Sequence, residues 1–455
     1  MTEQRSGIAG GSSGAAFATV TTLFFAWGFI TSLIDPLVAA MKGIFDLSNL
    51  QAQLSASAFF IAYGVMSFPA AALLARRKSV PTVIIALATV LAGCLIMLVA
   101  ANLARYGIVL LGLFVTASGI TILQVAANPL AAALGTPERA HFRLTFSQAF
   151  NSLGTFLGPI IGAHLFLKGV EVKAGTVVTD AVRDGALAGI DRAFFWIAGL
   201  IALLILFFYA SRKLVAAAAP PAPAGSATRG VTAAFSEAIT SRWALLGGAA
   251  IFLYVGAEVA IGTQMALFLN SDAVWGQSDA AFGVPILGWF MGGDGVAGVS
   301  LQEAAKAVAF YWGGAMVGRL IGSALLARFD AGKLMAVFAS VACAMCLYVF
   351  SVGGVSAGFI ALSIGLFNSI MFPVIFTLTL ERSTASEEAT SGFLCFAIVG
   401  GAAIPPLAGA VSDATSNITA FIVPAVCYAL LAAFAVAATR AVIHRRGEDA
   451  PVSPH

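Results

Sequence analysis

The chain has 455 residues, of which 60% are hydrophobic and only 10% charged, with a mean hydropathy of +0.96 and a net charge of +3. Soluble domains carry about 25% charged residues, so this composition excludes a string of soluble domains and indicates a chain dissolved in lipid. The small net charge gives no reason to expect a nucleic-acid partner, and the apolar runs are continuous, without the alternation of barrel strands, so the expected fold is all-α.

In chain order, apolar segments fall near 17–40, 51–75, 80–101, 106–134, 144–167 and 193–211, then 243–269, 305–327, 332–352, 356–380, 391–412 and 417–440. Each is long enough to cross a hydrocarbon core of about 30 Å. The polar stretch MTEQRSGIAGGSSG leads into a segment with Trp27 and Asp35 and no A-x-A site, so the first helix reads as retained, not as a cleaved signal. Lys and Arg concentrate in alternate connections (Arg76, Arg77, Lys78, Arg212, Lys213, Arg242, Arg328, Lys333, Arg440). The opposite side is sparser in them (Lys42, Arg105, Arg183, Arg192, Lys306). By the positive-inside rule this predicts twelve spans with both termini in the cytoplasm of a bacterial inner membrane. Residues 214–241, rich in Ala, Pro and Gly, read as a flexible cytoplasmic linker between a bundle over 1–213 and a bundle over 242–455. Two long connections on the other side, about 168–191 and 270–304, read as loops. The run GWFMGGDGVAG in the second lacks a preceding strand and a surrounding βαβ unit, so it predicts a mobile loop or gate and no dinucleotide site. Five cysteines lie in apolar stretches, and Cys343 and Cys346 form a C-x-x-C without companion ligands, so packing is expected and a metal is not.

The halves repeat. Ala72–Arg76 and Ala324–Arg328 share the run ALLAR; Gly154 and Pro159 align with Gly400 and Pro405; Pro129 aligns with Pro373, setting Gln124 opposite Asn368. Parallel six-helix repeats place a substrate site near the midplane between two pseudo-symmetric bundles, which favours a carrier.

Two acids remain in membrane interior, Asp35 in the first span and Glu258 in the seventh. A charge at the bilayer centre costs roughly 2.5–3.5 kcal/mol on insertion scales, so both are expected to face a cavity, where a carboxyl can bind and release a cation as its exposure alternates. A structural hydrogen bond between helices is the plainer reading. Pro36 beside Asp35 predicts a kink in the first helix. Gln124 and Asn128 share a face of the fourth span, and Gln148, Asn151 and Thr155 one of the fifth. Amides donate and accept as sugar hydroxyls do, although such groups also serve as interhelical glue. Tyr254 and Glu258 share a face, with Gln264 and Asn368 the further second-half candidates, and Trp27 could offer its ring to a sugar. His164 is expected at the interface, and Arg319 is expected to snorkel or to pin a loop.

The runs FFAWGFITSLIDPL, GITILQVAANP, HFRLTFSQAFNSLGTFLGP, YVGAEVAIG, GRLIGSALLARF and AIVGGAAIPPLAGAVSD resemble the fucose permease and glucose/galactose transporter branch of the major facilitator superfamily, across both halves. The resemblance implies a cation-coupled sugar symporter with the major facilitator fold. It places the coupling acid on Asp35, its aromatic neighbour on Trp27 and the fifth-helix amides on Gln148 and Asn151. Fucose permease carries a glutamate in the fourth-helix motif where this chain has Gln124; the glucose/galactose members match better, with Glu258 as a second acid. The expectation is an importer of a hexose or N-acetylhexosamine, not an enzyme, with no cofactor and no obligate protein partner beyond membrane lipid. The proton is the expected coupling ion and sodium the alternative. An exporter of amphiphiles and a non-transporting sugar sensor are the rival readings.

Overall fold

Every regular element among the described residues of the computed structural model (2–135, 140–167, 179–219, 231–293, 295–326 and 328–443) is helical. The first span consists of α1 (Thr2–Ser32) and α2 (Ile34–Phe45). It breaks where expected: Pro36 has no N–H, and its ring would meet the carbonyl one turn back. The chain therefore tightens at Leu33, whose N–H reaches Ile30 O at 3.3 Å, before Leu37 N–H resumes the helix on Leu33 O at 3.1 Å. The helix begins earlier than hydropathy indicates, since the polar N-terminal stretch is also helical.

The next spans are α3 (Asn49–Arg77), α4 (Ser79–Leu103), α5 (Tyr106–Ala133), α6 (Ala140–Phe166) and α7 (Asp180–Ala218). Ser48 and Gln51 form a capping box that starts α3, satisfying two backbone donors reciprocally. A short helix, α8 (Val231–Thr240), precedes α9 (Arg242–Leu269), which Ser241 caps. Then come the one-turn-plus α10 (Pro285–Met291), α11 (Leu301–Leu326), α12 (Ala331–Val352), α13 (Gly354–Asn368) with α14 (Met371–Arg382), α15 (Glu387–Phe396) with α16 (Gly400–Ala414), and α17 (Ile422–Arg440). Nine stretches among the described residues are long and apolar enough to span a bilayer. The helices α3, α6 and α11, at 29, 27 and 26 residues, complete the twelve; each extends about 40 Å at roughly 1.5 Å per residue.

Two expectations need correction. The stretch 214–241 is not flexible throughout, because α7 continues to Ala218 and α8 covers 231–240; residues 220–230 lie outside the described ones. Glu237 fastens α8 to the second bundle by accepting Ser386 N–H at 2.6 Å and Ser386 O–H at 3.0 Å, at the start of α15. The described parts of the long connections also hold regular structure: 180–191 belong to α7 (168–178 lie outside the described residues), and the described residues of 270–304 fold around Trp275, which is fully buried and donates to Val355 O at 3.0 Å.

Along α7, Ala193, Ile197 and Ile201 are buried while Trp196, Leu203 and Leu206 are 71%, 64% and 63% exposed. An apolar stripe of that extent is a liability in water and is the lipid-facing side of a membrane helix. The repeat is built into the packing. A methyl on Gly154 would strike the backbone of α1 at Phe25 and Phe29, and one on Gly400 would strike Phe252 of α9, so the first and seventh spans approach equivalent helices through aligned glycines.

Candidate functional site

Call the end of the bundle carrying Lys78, Leu134, Ala219 and Ser383 the linker face, and the end carrying Asp46, Ala104, Asn270 and Thr415 the distal face. The six first spans and six last spans meet along α2–α9, α3–α16 and α6–α11. The distal end of this seam is tied by polar contacts. Asp413, at the end of α16, accepts the first backbone N–H groups of α3, from Asn49 at 2.7 Å and Leu50 at 2.8 Å. Thr263 of α9 donates to Gln53 Oε1 of α3 at 2.8 Å. At the linker face, α5 and α14 share no substantial packing among the described residues. The two halves are thus shut distally, while among the described residues α5 and α14 stand apart at the linker end.

Asp35 sits in the seam at mid-span and is 4% exposed. The indole Nε1 of Trp312, on α11 in the other half, donates to Asp35 Oδ2 at 2.5 Å. Gly262 of α9 leaves room for this carboxyl: a Cβ there would stand 3.3 and 3.5 Å from its two oxygens. Glu258, one helical turn away on α9 and partly buried, is within electrostatic reach of Asp35, and Arg319 is within reach of Glu258. The two acids and a basic group therefore belong to one site.

Glu258 heads an aromatic–amide network in the second half. Tyr254 donates its hydroxyl to Glu258 Oε1 at 2.8 Å, and Tyr311 donates to Glu258 O at 3.1 Å. Asn368 is fully buried, and its Nδ2 donates to Tyr311 Oη at 2.7 Å and Tyr428 Oη at 3.2 Å while its Oδ1 has no partner. Asn368 stands at the end of α13, beside the two-residue break before α14, where the chain can place an amide at mid-membrane.

The first-half amides are spread more widely. Gln124 donates to Tyr63 Oη at 2.9 Å, linking α5 to α3, and Asn128 keeps a buried Oδ1 without a partner. Asn151 Nδ2 is engaged by Phe24 O at 3.2 Å, a contact of interhelical glue, while Gln148 is exposed toward the linker face. Thr155 donates back to Ser152 O. Trp27 is buried against Phe24 with centroids 4.1 Å apart, so its ring packs within α1. Gln264 lines a small crevice with Ala408, Phe421 and Pro424 between α9, α16 and α17, its Nε2 without a partner. His164 is exposed near the end of α6.

Arg319 departs from expectation. Exposed on α11, it also reaches into the other half: its Nη1 donates to Ser152 Oγ of α6 at 3.0 Å, across the seam. Sequence reasoning also missed Trp312, Tyr311, Tyr428 and Gln53. Only their being polar or aromatic in apolar helices signalled them, and that holds for many packing residues.

The Major Facilitator Superfamily model matches residues 16–390. A glucose/galactose transporter of Brucella abortus is 39% identical over 92% of this chain and 93% of its own length. The L-fucose-proton symporter of Escherichia coli K12 is 29% identical over 92% of each. A crystal structure of the Escherichia coli fucose:proton symporter superposes with a TM-score of 0.66 at 25% identity, covering 94% of this chain and 99% of that one. With twelve spans in two six-helix halves and a polar site in the seam between them, the chain belongs to the major facilitator superfamily.

Proposed function

We propose that this protein imports a hexose, of the glucose or galactose type or an N-acetylated derivative, together with a cation, the proton before sodium, by alternating access across a bacterial inner membrane. The observation that carries the reading is Asp35: a buried carboxyl in one half, hydrogen-bonded to the other half, beside the second acid Glu258. Ion uptake at such a position changes what the two halves can do to each other, which coupling requires. Glu258, Tyr254, Asn368 and Gln264 from the second half, with Gln124, Asn128 and Gln148 from the first, are the proposed sugar contacts. The unpaired atoms of Asn128, Gln264 and Asn368 support this, since a buried polar atom without a partner is costly until a ligand supplies one. The 39% identity to a glucose/galactose transporter supports the substrate class.

With both termini in the cytoplasm, as the charge bias indicates, the linker face is cytoplasmic and the structure corresponds to an inward-facing state. The test is uptake of labelled glucose, galactose, mannose, fucose and N-acetylglucosamine into proteoliposomes under a pH gradient or a sodium gradient. One sugar accumulating under one gradient is the expected result; no sugar moving under either refutes the assignment.

A further inference from the structure

We infer that Trp312 is the positioning residue for the coupling acid: it orients the Asp35 carboxyl only while the distal face is shut, and it joins that carboxyl to the network that would hold the sugar. The inference rests on the proposed coupling role of Asp35.

An indole N–H is a donor and nothing else. Bonded to Asp35 Oδ2 at 2.5 Å, it fixes one carboxyl oxygen and leaves Oδ1 without this donor as the atom that receives the cation, both oxygens standing beside the bare backbone of Gly262. The indole is itself held. Its ring edge packs on Tyr311, with centroids 5.0 Å apart at 69°. The Tyr311 hydroxyl in turn donates to Glu258 O and accepts from Asn368. The charged groups acting there are Glu258 on α9, within reach of Asp35, and Arg319 on α11, within reach of Glu258. A continuous chain of contacts thus runs from the ion-binding carboxyl to the unpaired Oδ1 of Asn368.

Asp35 and Trp312 belong to different halves, so distal opening breaks their bond and hands the carboxyl to water. A bond present in one conformation and absent in the other is the differential interaction through which an ion can bias a two-state equilibrium.

Trp312→Phe keeps a ring against Tyr311 and removes the N–H. Gly262→Ala keeps the indole but places a methyl 3.0 Å from Trp312 Cζ2 and 3.3 Å from Asp35 Oδ1, displacing the carboxyl. The readouts are gradient-driven accumulation against counterflow, and the pH-induced infrared difference band of the protonated Asp35 carbonyl, identified by its disappearance in Asp35→Asn. For both variants the band moves to higher wavenumber, because the donor is lost in Trp312→Phe and the carboxyl is pushed from the indole N–H in Gly262→Ala. Accumulation falls about tenfold, the factor carried by one hydrogen bond to a charged group, and falls further than counterflow does. If Asp35→Asn abolishes band and accumulation but Trp312→Phe and Gly262→Ala leave both in place, Trp312 positions nothing and the inference is overturned. If Asp35→Asn leaves accumulation intact and removes no band, the coupling role itself fails, and the inference with it. Should Trp312→Phe not fold, Gly262→Ala decides by the same two readouts.

Discussion

Replacing Asp413 by alanine should open the distal face. Its carboxylate accepts Asn49 N–H at 2.7 Å and Leu50 N–H at 2.8 Å, so an acid at the end of α16 in one half closes the N-terminus of α3 in the other. Hydrogen bonds to charged groups contribute about 1.5–3 kcal/mol where water is excluded, and an anion at a helix N-terminus about 0.3–1 kcal/mol at an exposed surface. These groups are exposed, so the lower values apply, and the latch favours the shut state by about 1–2 kcal/mol, a factor of roughly 5–30 in the equilibrium. Ser48 keeps its own bond to Gln51 N–H, so α3 itself stays capped. Lys42, which donates to Asn49 Oδ1 at 2.5 Å, loses a nearby counter-charge but no direct bond. The assay is a spin-label distance distribution between cysteines at Leu103 and Val352, both exposed at distal helix ends in opposite halves, in a background without the five native cysteines. Asp413→Ala should raise the long-distance population by that factor, with a smaller effect at high salt because exposed charges are screened. An unchanged distribution at low salt would show that the latch does not hold the distal face.

Three further outcomes follow from the packing. Gly400→Ala sets a methyl against the Phe252 backbone, which cannot turn aside as a side chain could, and should cost about 1–3 kcal/mol of stability in detergent, read as a lowered melting temperature. Asn368→Ala removes the amide shared by Tyr311 and Tyr428 and should raise the sugar KM about tenfold, the loss of one hydrogen bond of about 1–1.5 kcal/mol, with counterflow kinetics as the check. Glu237→Ala removes the carboxylate that accepts Ser386 N–H and O–H, at a cost of about 1.5–3 kcal/mol, while Ser386 still caps α15, and should expose residues 231–240 to limited proteolysis sooner than in the native protein.

The membrane helices were legible because a lipid solvent forces backbone satisfaction within each segment, which leaves uninterrupted apolar runs such as 80–101 and 417–440. The kink at Pro36 and the aligned glycines Gly154 and Gly400 were readable for the same local reason: ring geometry and the missing Cβ act on their immediate neighbours. What the sequence concealed is what the tertiary fold brings together. Trp312 and Asp35 are 277 residues apart, and nothing in either segment announces the other. Arg319 reads as a snorkelling residue from its depth in α11, yet the seam also offers it Ser152 and the field of Glu258, partners 167 and 61 residues away in sequence. Asn151 shows the converse, since its stripe pattern suits a ligand but its Nδ2 is taken by Phe24 O. The helical turns hidden in 214–241 were masked by Ala, Pro and Gly, and there the anchoring of Glu237 on Ser386 outweighs the composition.

The central claim is that Asp35 couples an ion to sugar movement, and it is tested most directly by comparing native protein and Asp35→Asn in proteoliposomes for uphill accumulation and for sugar exchange. The account predicts that the variant loses accumulation under the coupling gradient while exchange continues. Accumulation by Asp35→Asn equal to that of the native protein would contradict it.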